Sequence, residues 1–393
     1  MKFRKIKLST FLIYIYVFSV IYQSGSVRAA VLGNGLLFEM TRMLNFAVPI
    51  FCFLVYRKKH KHAWFVLIGM LTGCVPIIIN YVLYPEGVMR LTYKIVILLL
   101  SALVFMVLSE KGVDIRNKIY DVIIVISTIS LIFYFLVEII KIPMPYSILC
   151  NGASYRYRNY FELFFTYHYD ISFPRLSGLF WEPGVYQIYL NLALFQYVFD
   201  GKDNKIQLVI LILSIFFAQS TSGYCVCICL MAIYIIKNVR FTRESKWYFA
   251  IIGGVCVMIL ASYIIAMKAA ATSGTDGSYT LRMSDISNGL SIFVQNPILG
   301  VGFGNENLFI ANDTFGRGSS NGLISYMYMT GIVGMLFVLT PFIINIKKSN
   351  DKIKQLVWVA LFILFNITEP IYDLPIAAFC VGIEYAVAYK YER

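Results

Sequence analysis

Residues 175–199 read RLSGLFWEPGVYQIYLNLALFQYVF, and they combine the two features that decide the fold of this chain. The first residues are polar, carry an arginine and end a long loop. From residue 179 onward the stretch is almost wholly apolar for about twenty residues, which is long enough to cross a bilayer as an α-helix. Similar apolar runs, separated by polar loops, recur from one end of the sequence to the other.

The composition excludes a soluble globular fold. Hydrophobic residues make up 59% of the 393 residues, against about 45–50% in soluble domains, and the mean hydropathy is +0.72. Twelve apolar runs, some of them short, occur at 8–22, 35–56, 63–84, 91–109, 119–141, 179–199, 206–219, 223–237, 247–268, 320–346, 355–369 and 371–389. We therefore predict an all-α polytopic membrane protein, a single membrane domain over 1–393 with about twelve transmembrane helices.

The distribution of positive charge orients these spans. With the amino terminus in the cytoplasm, the cytoplasmic segments hold more than twice as many lysines and arginines as the outer segments, in agreement with the positive-inside rule. Both termini are then cytoplasmic, and 142–178 and 269–319 form two large external loops. The net charge of +13 comes from short clusters between apolar runs, so it does not indicate nucleic-acid binding. The basic start followed by Val27-Arg28-Ala29-Ala30 also resembles a cleavable signal peptide, but an uncleaved first helix is the expectation.

The cysteines predict no metal site. Of eight cysteines, only Cys150 lies in a polar loop, and the others lie in apolar runs, where cysteine behaves as a small hydrophobe. No spacing typical of metal ligands is present. We therefore expect neither a metal nor another cofactor.

The first external loop carries cations among aromatic residues. The sequence YRYRNY alternates Arg156 and Arg158 with tyrosines, and His168 follows in YHYD. Guanidinium groups bind phosphates through paired hydrogen bonds, and tyrosine rings can stack on sugars. We therefore predict substrate contacts for four residues of this loop: Arg156, Tyr157, Arg158 and His168. An interfacial aromatic belt with snorkelling arginines is the alternative interpretation.

Glu182 is the most informative single residue. A carboxylate just inside an apolar run is costly unless it is paired or hydrated. Trp181 suits the membrane interface, and Pro183 suits the first turn of a helix, where its missing N–H is harmless. Glu182 is therefore either a first-turn acid stabilised by the helix dipole or a carboxylate that faces an outer cavity, as a general base or as the partner of an arginine.

The second external loop has few cations and many glycines. Arg282 stands in YTLRM, and residues 296–304 read NPILGVGFG, where the glycines allow close backbone approach. This segment lacks the Lys-Ser/Thr ending of a phosphate loop. Arg317 follows shortly before the next span. Glu369, in the last outer turn, is expected to be a simple surface charge.

Together these segments resemble the superfamily of O-antigen polymerases and O-antigen ligases. The matching features, in chain order, are Arg175–Gly184, the Ser220–Gly223 turn, Asn296-Pro297-x-x-Gly300-x-Gly302-x-Gly304, Ser320-Asn321, and Gly331-Ile332-Val333-Gly334. They cover about residues 170–340, and the span count extends the likeness over the chain. Ligases of this superfamily typically carry a histidine beside the asparagine that opens the span after the second loop. Here Ser320 precedes Asn321, which favours a polymerase.

The resemblance implies a metal-independent, membrane-embedded, GT-C-like glycosyltransferase of the bacterial inner membrane. Its donor would be a growing glycan on undecaprenyl diphosphate, its acceptor a single lipid-linked repeat unit, and its protein partners a chain-length regulator and a flippase. Arg175 and Arg282 would be catalytic residues that bind the diphosphate. Arg317 and Asn321 would add substrate contacts, and Glu182 would activate the acceptor hydroxyl or orient an arginine.

Two other functions remain open from the sequence. An O-antigen ligase of the same superfamily would share the motifs and transfer the glycan to a different acceptor. A flippase or other transporter of lipid-linked oligosaccharides would share the twelve spans. A transporter would not need two long arginine-bearing outer loops, and the internal repeats common in transporters are not evident.

Overall fold

The structure is a computed structural model, and it describes residues 8–33, 35–56, 78–79, 82, 88–110, 113–151, 155–161, 163–168, 174–238, 278–313 and 316–390. The helices of these residues are α1 (Leu8–Gln23), α2 (Leu36–Tyr56), α3 (Val88–Glu110), α4 (Ile115–Tyr134), α5 (Pro183–Phe199), α6 (Lys205–Ala218), α7 (Thr221–Asn238), α8 (Ser278–Gln295), α9 (Asn307–Asn312), α10 (Gly322–Lys348), α11 (Lys352–Thr368) and α12 (Pro375–Lys390). A π-helical turn, Phe135–Ile139, extends α4.

The predicted spans agree well with these helices. Ten of the twelve coincide with a helix to within a few residues, and the other two, 63–84 and 247–268, lie almost entirely outside the described residues. Within the described part of the chain, the segments long and apolar enough to cross a membrane are Thr92–Ser109, Ile115–Ile139, Thr221–Asn238 and Gly322–Lys348. The chain is thus a mostly helical membrane protein, and the figure of twelve spans stays a prediction.

The first external loop corrects the all-α prediction. It contains a four-stranded antiparallel sheet in the order β1 (Ser147–Asn151), β2 (Tyr155–Tyr160), β3 (Phe164–His168) and β4 (Arg175–Gly178). Alternate residues of a strand point to opposite faces, and the alternation of tyrosine with arginine in β2 follows that period of two. The all-α prediction is wrong here because the alternation was explained by substrate contacts or, in the alternative, by a membrane belt, and its period of two was not used to predict a strand.

The described residues form two compact units. The first draws on Met1–Ser24, Glu39–Ile115 and Ser278–Arg393, and the second on Gly25–Phe38 and Arg116–Gly277. In the first unit, Phe303, Phe309 and Tyr328 belong to a buried cluster beside α10. In the second unit, α5 is buried along almost its whole length, as expected for a helix that is apolar on all sides.

In the first unit, α10 is broken at Gly331, and residues 296–304 pack against the break. Gly331 has φ 65° and ψ −167°, which no helical residue adopts. Four main-chain hydrogen bonds join the loop to the break: Val301 N–H to Tyr328 O (3.0 Å), Gly302 N–H to Met329 O (3.1 Å), Ile332 N–H to Pro297 O (2.8 Å) and Val333 N–H to Ile298 O (3.3 Å). Backbone groups freed inside a membrane helix must find partners within the protein, and the loop supplies them.

Two glycines make this approach possible. A Cβ on Gly300 would overlap the main chain of Met329, and a Cβ on Gly331 would overlap the carbonyl of Ile298. Both residues also have positive φ, which favours glycine. The glycine spacing noted in the sequence therefore has a physical cause in the contact between loop and broken helix.

Candidate functional site

Arg175, the first residue of β4, binds the end of α6. Its Nε donates to the carbonyl of Ala218 (3.1 Å) and its Nη2 to that of Gln219 (3.0 Å). Its guanidinium also lies 5.7 Å from the ring centre of Tyr167. The last carbonyls of a helix have no partners within the helix and carry partial negative charge, so Arg175 caps α6. These two bonds engage two of the five guanidinium donors.

Glu182 occupies the N-cap position of α5. Its backbone is extended (φ −146°, ψ 141°), and its side chain makes no capping hydrogen bond. Its carbonyl accepts from the N–H groups of Val185 (3.1 Å) and Tyr186 (3.0 Å). Pro183 lies at the start of the helix, and this part of the prediction is confirmed. The half-buried carboxylate therefore stands at the positive end of the helix dipole without acting as a side-chain cap.

Arg158 pairs with a buried carboxylate that the sequence analysis did not identify. Its Nη1 lies 3.6 Å from Oε2 of Glu138, and the hydroxyl of Thr166 donates to Oε1 of Glu138 (2.8 Å). Lys141 is also 3.6 Å from Glu138. Burial raises the pKa of the nearby Tyr160, and the negative charge of Glu138 raises it further. Glu138 thus anchors the sheet to the end of α4.

Replacing Glu138 with alanine should loosen the sheet. Thr166 is buried, so its hydroxyl would lose its partner, at a cost of about 1–3 kcal/mol. The expected result is faster cleavage within 142–178 when vesicles are treated with protease. Lys141→Ala is the matched control, because Lys141 is exposed and exposed ion pairs contribute little. Equal cleavage rates in both variants would contradict the anchoring role.

The other predicted residues of this loop divide into two groups. Tyr157 is buried and packs with Val27, Phe165 and Tyr167, and its contact with substrate stays a prediction. Arg156 and His168 pair across β2 and β3, and their side chains lie outside the described part of the structure. Their substrate contacts stay predictions.

Arg282, on α8 in the first unit, is loosely held. Its Nη2 lies 3.9 Å from Oε1 of Glu369, and its side chain is 36% exposed, against 9% for the glutamate. Glu369 is therefore a buried partner of an arginine, and the expectation of a simple surface charge is wrong. The separation is near the limit for an ion pair, so an incoming anion can compete for this guanidinium.

Arg317 is held far more tightly. Its Nη2 donates to Oδ1 of the buried Asp285 at 2.9 Å and also to the carbonyl of Leu281 at 3.2 Å. The other carboxylate oxygen of Asp285 accepts from the main-chain N–H (2.8 Å) and the hydroxyl (2.5 Å) of Ser320. This network neutralises a buried charge and fixes the chain before α10. It gives Arg317 a structural role, and its contact with substrate stays a prediction.

Asn321 forms the N-cap of α10. Its Oδ1 accepts from the N–H of Ile324 at 3.1 Å, which is the usual geometry of an asparagine cap. The residue is buried. Asn321 therefore has a structural role as a helix cap, and its contact with substrate stays a prediction.

Residues 206–339 match the family model described as O-Antigen ligase. This match covers about a third of the chain and supports membership of the O-antigen polymerase and ligase superfamily. The matched region contains Arg282, Arg317, Asn321 and the loop at the α10 break, whereas Arg175 and Glu182 precede it. A comparison with curated proteins found no match. Among the described residues, no group of three or more His, Cys, Asp or Glu could hold a metal ion.

Sequence reasoning missed three acidic residues as the partners of arginines. Glu138 holds Arg158, Asp285 holds Arg317 and Glu369 holds Arg282. Glu138 and Glu369 lie in or beside an apolar run, where an unpaired carboxylate is costly, whereas Asp285 lies in the polar segment 269–319. That cost was the available signal, and it was applied only to Glu182.

Proposed function

We propose that the chain is a polysaccharide polymerase that joins undecaprenyl-diphosphate-linked oligosaccharide repeat units into O-antigen or capsular polysaccharide at the outer face of the bacterial inner membrane. The observation that carries the proposal is the contrast between Arg282 and Arg317. Arg317 is committed to a buried carboxylate at 2.9 Å, and Arg282 makes a half-exposed contact at 3.9 Å. Arg282 is thus the described cation of the second loop that can exchange its partner for a phosphate.

The proposed reaction needs a stabilised leaving group and an activated acceptor. The acceptor hydroxyl oxygen attacks the anomeric carbon of the donor glycan, and the bond from that carbon to the phosphate oxygen breaks. The diphosphate leaves with the electron pair, and Arg282 stabilises the developing charge. Arg175 also contacts the diphosphate in this proposal, through the guanidinium N–H groups that do not bind the carbonyls at the end of α6. Glu182 accepts the acceptor's proton as the general base.

An O-antigen ligase is the second candidate, because the matching family model carries that description. The residue before Asn321 supports the polymerase. Ser320 stands where ligases typically carry a histidine, and both its N–H and its hydroxyl bind Asp285. Ser320 therefore provides no imidazole for catalysis, and its polar groups are used in hydrogen bonds that stabilise the fold.

Deletion of the chain in its native host tests the function. Loss of a polymerase should leave surface glycan limited to a single repeat unit, whereas loss of a ligase should leave long glycan on the lipid carrier and none on the surface acceptor. Purified protein supplied with the lipid-linked repeat unit should then produce a ladder of products without added nucleotide or metal. Long lipid-linked chains in the deletion strain would exclude the polymerase.

The proposed orientation places both termini in the cytoplasm and 142–178 and 269–319 outside. Single cysteines at Asn151 and Ser278, in a background with the native cysteines replaced, should react with an impermeant maleimide in cells with an opened outer membrane. Lys347→Cys, at the predicted cytoplasmic end of α10, is the control and should react only after lysis. Protection of both outer positions until lysis would overturn the orientation and the roles that depend on it.

Replacement of Glu182 with glutamine separates its two interpretations. If Glu182 is the general base, glutamine should reduce polymer formation about 100- to 10,000-fold, because the amide lacks basicity. If the carboxylate only favours the start of α5, the loss should be about 0.3–1 kcal/mol of stability with polymer retained. The measurements are chain length on gels and the amount of protein in membranes. Full-length polymer from the glutamine variant removes Glu182 from the catalytic residues.

A further inference from the structure

The sheet of the second unit has a large exposed apolar surface near the end of α4. Ile140, Ile148 and Phe161 are each about 60% exposed, and Leu163 and Tyr146 are also exposed. A contiguous apolar surface of this kind marks a contact with a membrane or another protein. The elements packed beside this apolar surface favour a contact with the membrane over a contact with another protein.

The turn between β2 and β3 lies beside α4, well before the end of that helix. Phe161 in the turn contacts the ring of Phe133 at 6.0 Å, and Phe164 stacks on the same ring at 4.9 Å. Phe133 is six residues before the end of the candidate span Ile115–Ile139, or about 9 Å along its axis. The hairpin therefore runs back along the helix towards the membrane.

The length of the span fixes the depth of this turn. A helix of 25 residues is about 37 Å long, and the hydrocarbon core is about 30 Å thick. A centred span therefore places Phe133, and the turn beside it, about 5–6 Å inside the hydrocarbon boundary. The exposed face of α4 continues there through Ile132, which is 55% exposed.

The backbone conformation of Phe161 also favours burial of its ring in lipid. Phe161 has φ 56°, a left-handed conformation that is costly for a bulky residue and easy for glycine. An exposed phenylalanine in this conformation has no advantage in water. Burial of its ring in lipid supplies a compensating gain, since full burial of a phenylalanine side chain contributes about 1.5–3 kcal/mol.

The charges near the other end of the hairpin suit the headgroup region. Arg158 lies 5.0 Å from the ring centre of Tyr146, and both Arg158 and Lys141 are partly or largely exposed beside the end of the α4 extension. Cations and tyrosines are enriched at that level of a membrane.

We propose that the sheet is an interfacial membrane anchor whose β2–β3 turn embeds Phe161 and Leu163 in the adjoining leaflet, with Arg158 and Lys141 at the level of the lipid phosphates. β4 pairs with β3, and Arg175 lies opposite Tyr167 in that pairing. The depth of the turn therefore sets the height of Arg175. If the proposed function is correct, the anchor holds Arg175 at the level of the carrier's diphosphate.

Spin labels test the anchor independently of catalysis. Phe161→Cys and Leu163→Cys, each in a background with the native cysteines replaced, would carry a nitroxide in vesicles of phosphatidylethanolamine and phosphatidylglycerol. Ile132→Cys is the lipid-exposed reference, and Asp203→Cys, in the exposed loop between α5 and α6, is the aqueous reference. The measurement is the collision rate with oxygen, which concentrates in lipid, relative to a water-soluble nickel chelate.

Labels at positions 161 and 163 should show the same ratio of oxygen to nickel-chelate collision rates as the label at position 132. Preference for the nickel chelate, as at 203, would overturn the anchor. Protection from both reagents would also overturn it, because the surface would then be covered by protein, either a second copy or a partner.

A functional comparison adds the link to Arg175. Phe161→Asp should shorten the polymer and Phe161→Leu should not, with equal amounts of protein in the membrane. Lipid-exposed labels combined with an unaffected polymer in Phe161→Asp would keep the anchor and remove its role in positioning Arg175.

Discussion

Arg282→Ala should abolish polymer while leaving the amount of folded protein in the membrane unchanged. The guanidinium is 36% exposed and lies 3.9 Å from its partner Glu369, near the limit for an ion pair, so its removal should cost much less stability than removal of Arg317, which contacts Asp285 at 2.9 Å. The loss of one charge-stabilising group typically slows a reaction about 100- to 1000-fold. Gel analysis of glycan length and immunoblotting of membranes provide the two measurements.

Three further variants make this result specific. Arg282→Lys should rescue poorly, because a point charge lacks the paired donors that grip a phosphate. Arg317→Ala should instead lower the amount of folded protein, since it leaves Asp285 buried without its cation, at a cost of about 3–5 kcal/mol. Arg175→Ala should lose both polymer and the cap of α6. A normal glycan chain length in Arg282→Ala would exclude Arg282 from diphosphate binding.

Gly331→Ala should prevent assembly of the first unit. The glycine has φ 65° and ψ −167°, a region open almost only to glycine, and forcing another residue there costs about 1–3 kcal/mol. Its new Cβ would also overlap the main chain of Ile298, which cannot move without breaking the loop's hydrogen bonds. The expected result is a large fall in detergent-extractable, monodisperse protein.

Gly201→Ala is the matched control for this effect. Gly201 also has a positive φ of 67°, but nothing lies within 4 Å of a Cβ placed there. It should therefore lose about 1–2 kcal/mol, the cost of the left-handed conformation alone. Similar yields from the two variants would show that the contact between loop and broken helix is not required for folding.

The helices were predictable because a membrane imposes a simple rule on sequence. The run at 91–109 corresponds to α3, Val88–Glu110, since apolar length alone specifies such a segment. Proline at the start of α5 was predictable for the same local reason. The sheet was not predicted, because its alternating tyrosines and arginines also suit a membrane interface, and the choice depends on strands that are distant in sequence.

The acidic partners of the arginines could not be predicted from local sequence patterns. Arg282 and Glu369 are separated by most of the carboxy-terminal third of the chain, and no periodicity relates them. The break at Gly331 was likewise hidden, because isoleucine, valine and glycine around it continue an apolar run without interruption. Such features are fixed by tertiary contacts, which a single sequence does not reveal.

The main-chain bonds at the α10 break determine which changes the second loop tolerates during evolution. Its carbonyls and N–H groups are the same whatever side chains they carry, so an exposed position such as Ile298 is free to vary. Insertion or deletion of one residue between Pro297 and Gly302 would shift every donor from its acceptor at once. Natural variation in this loop should therefore consist of substitutions at constant length, with the glycines retained.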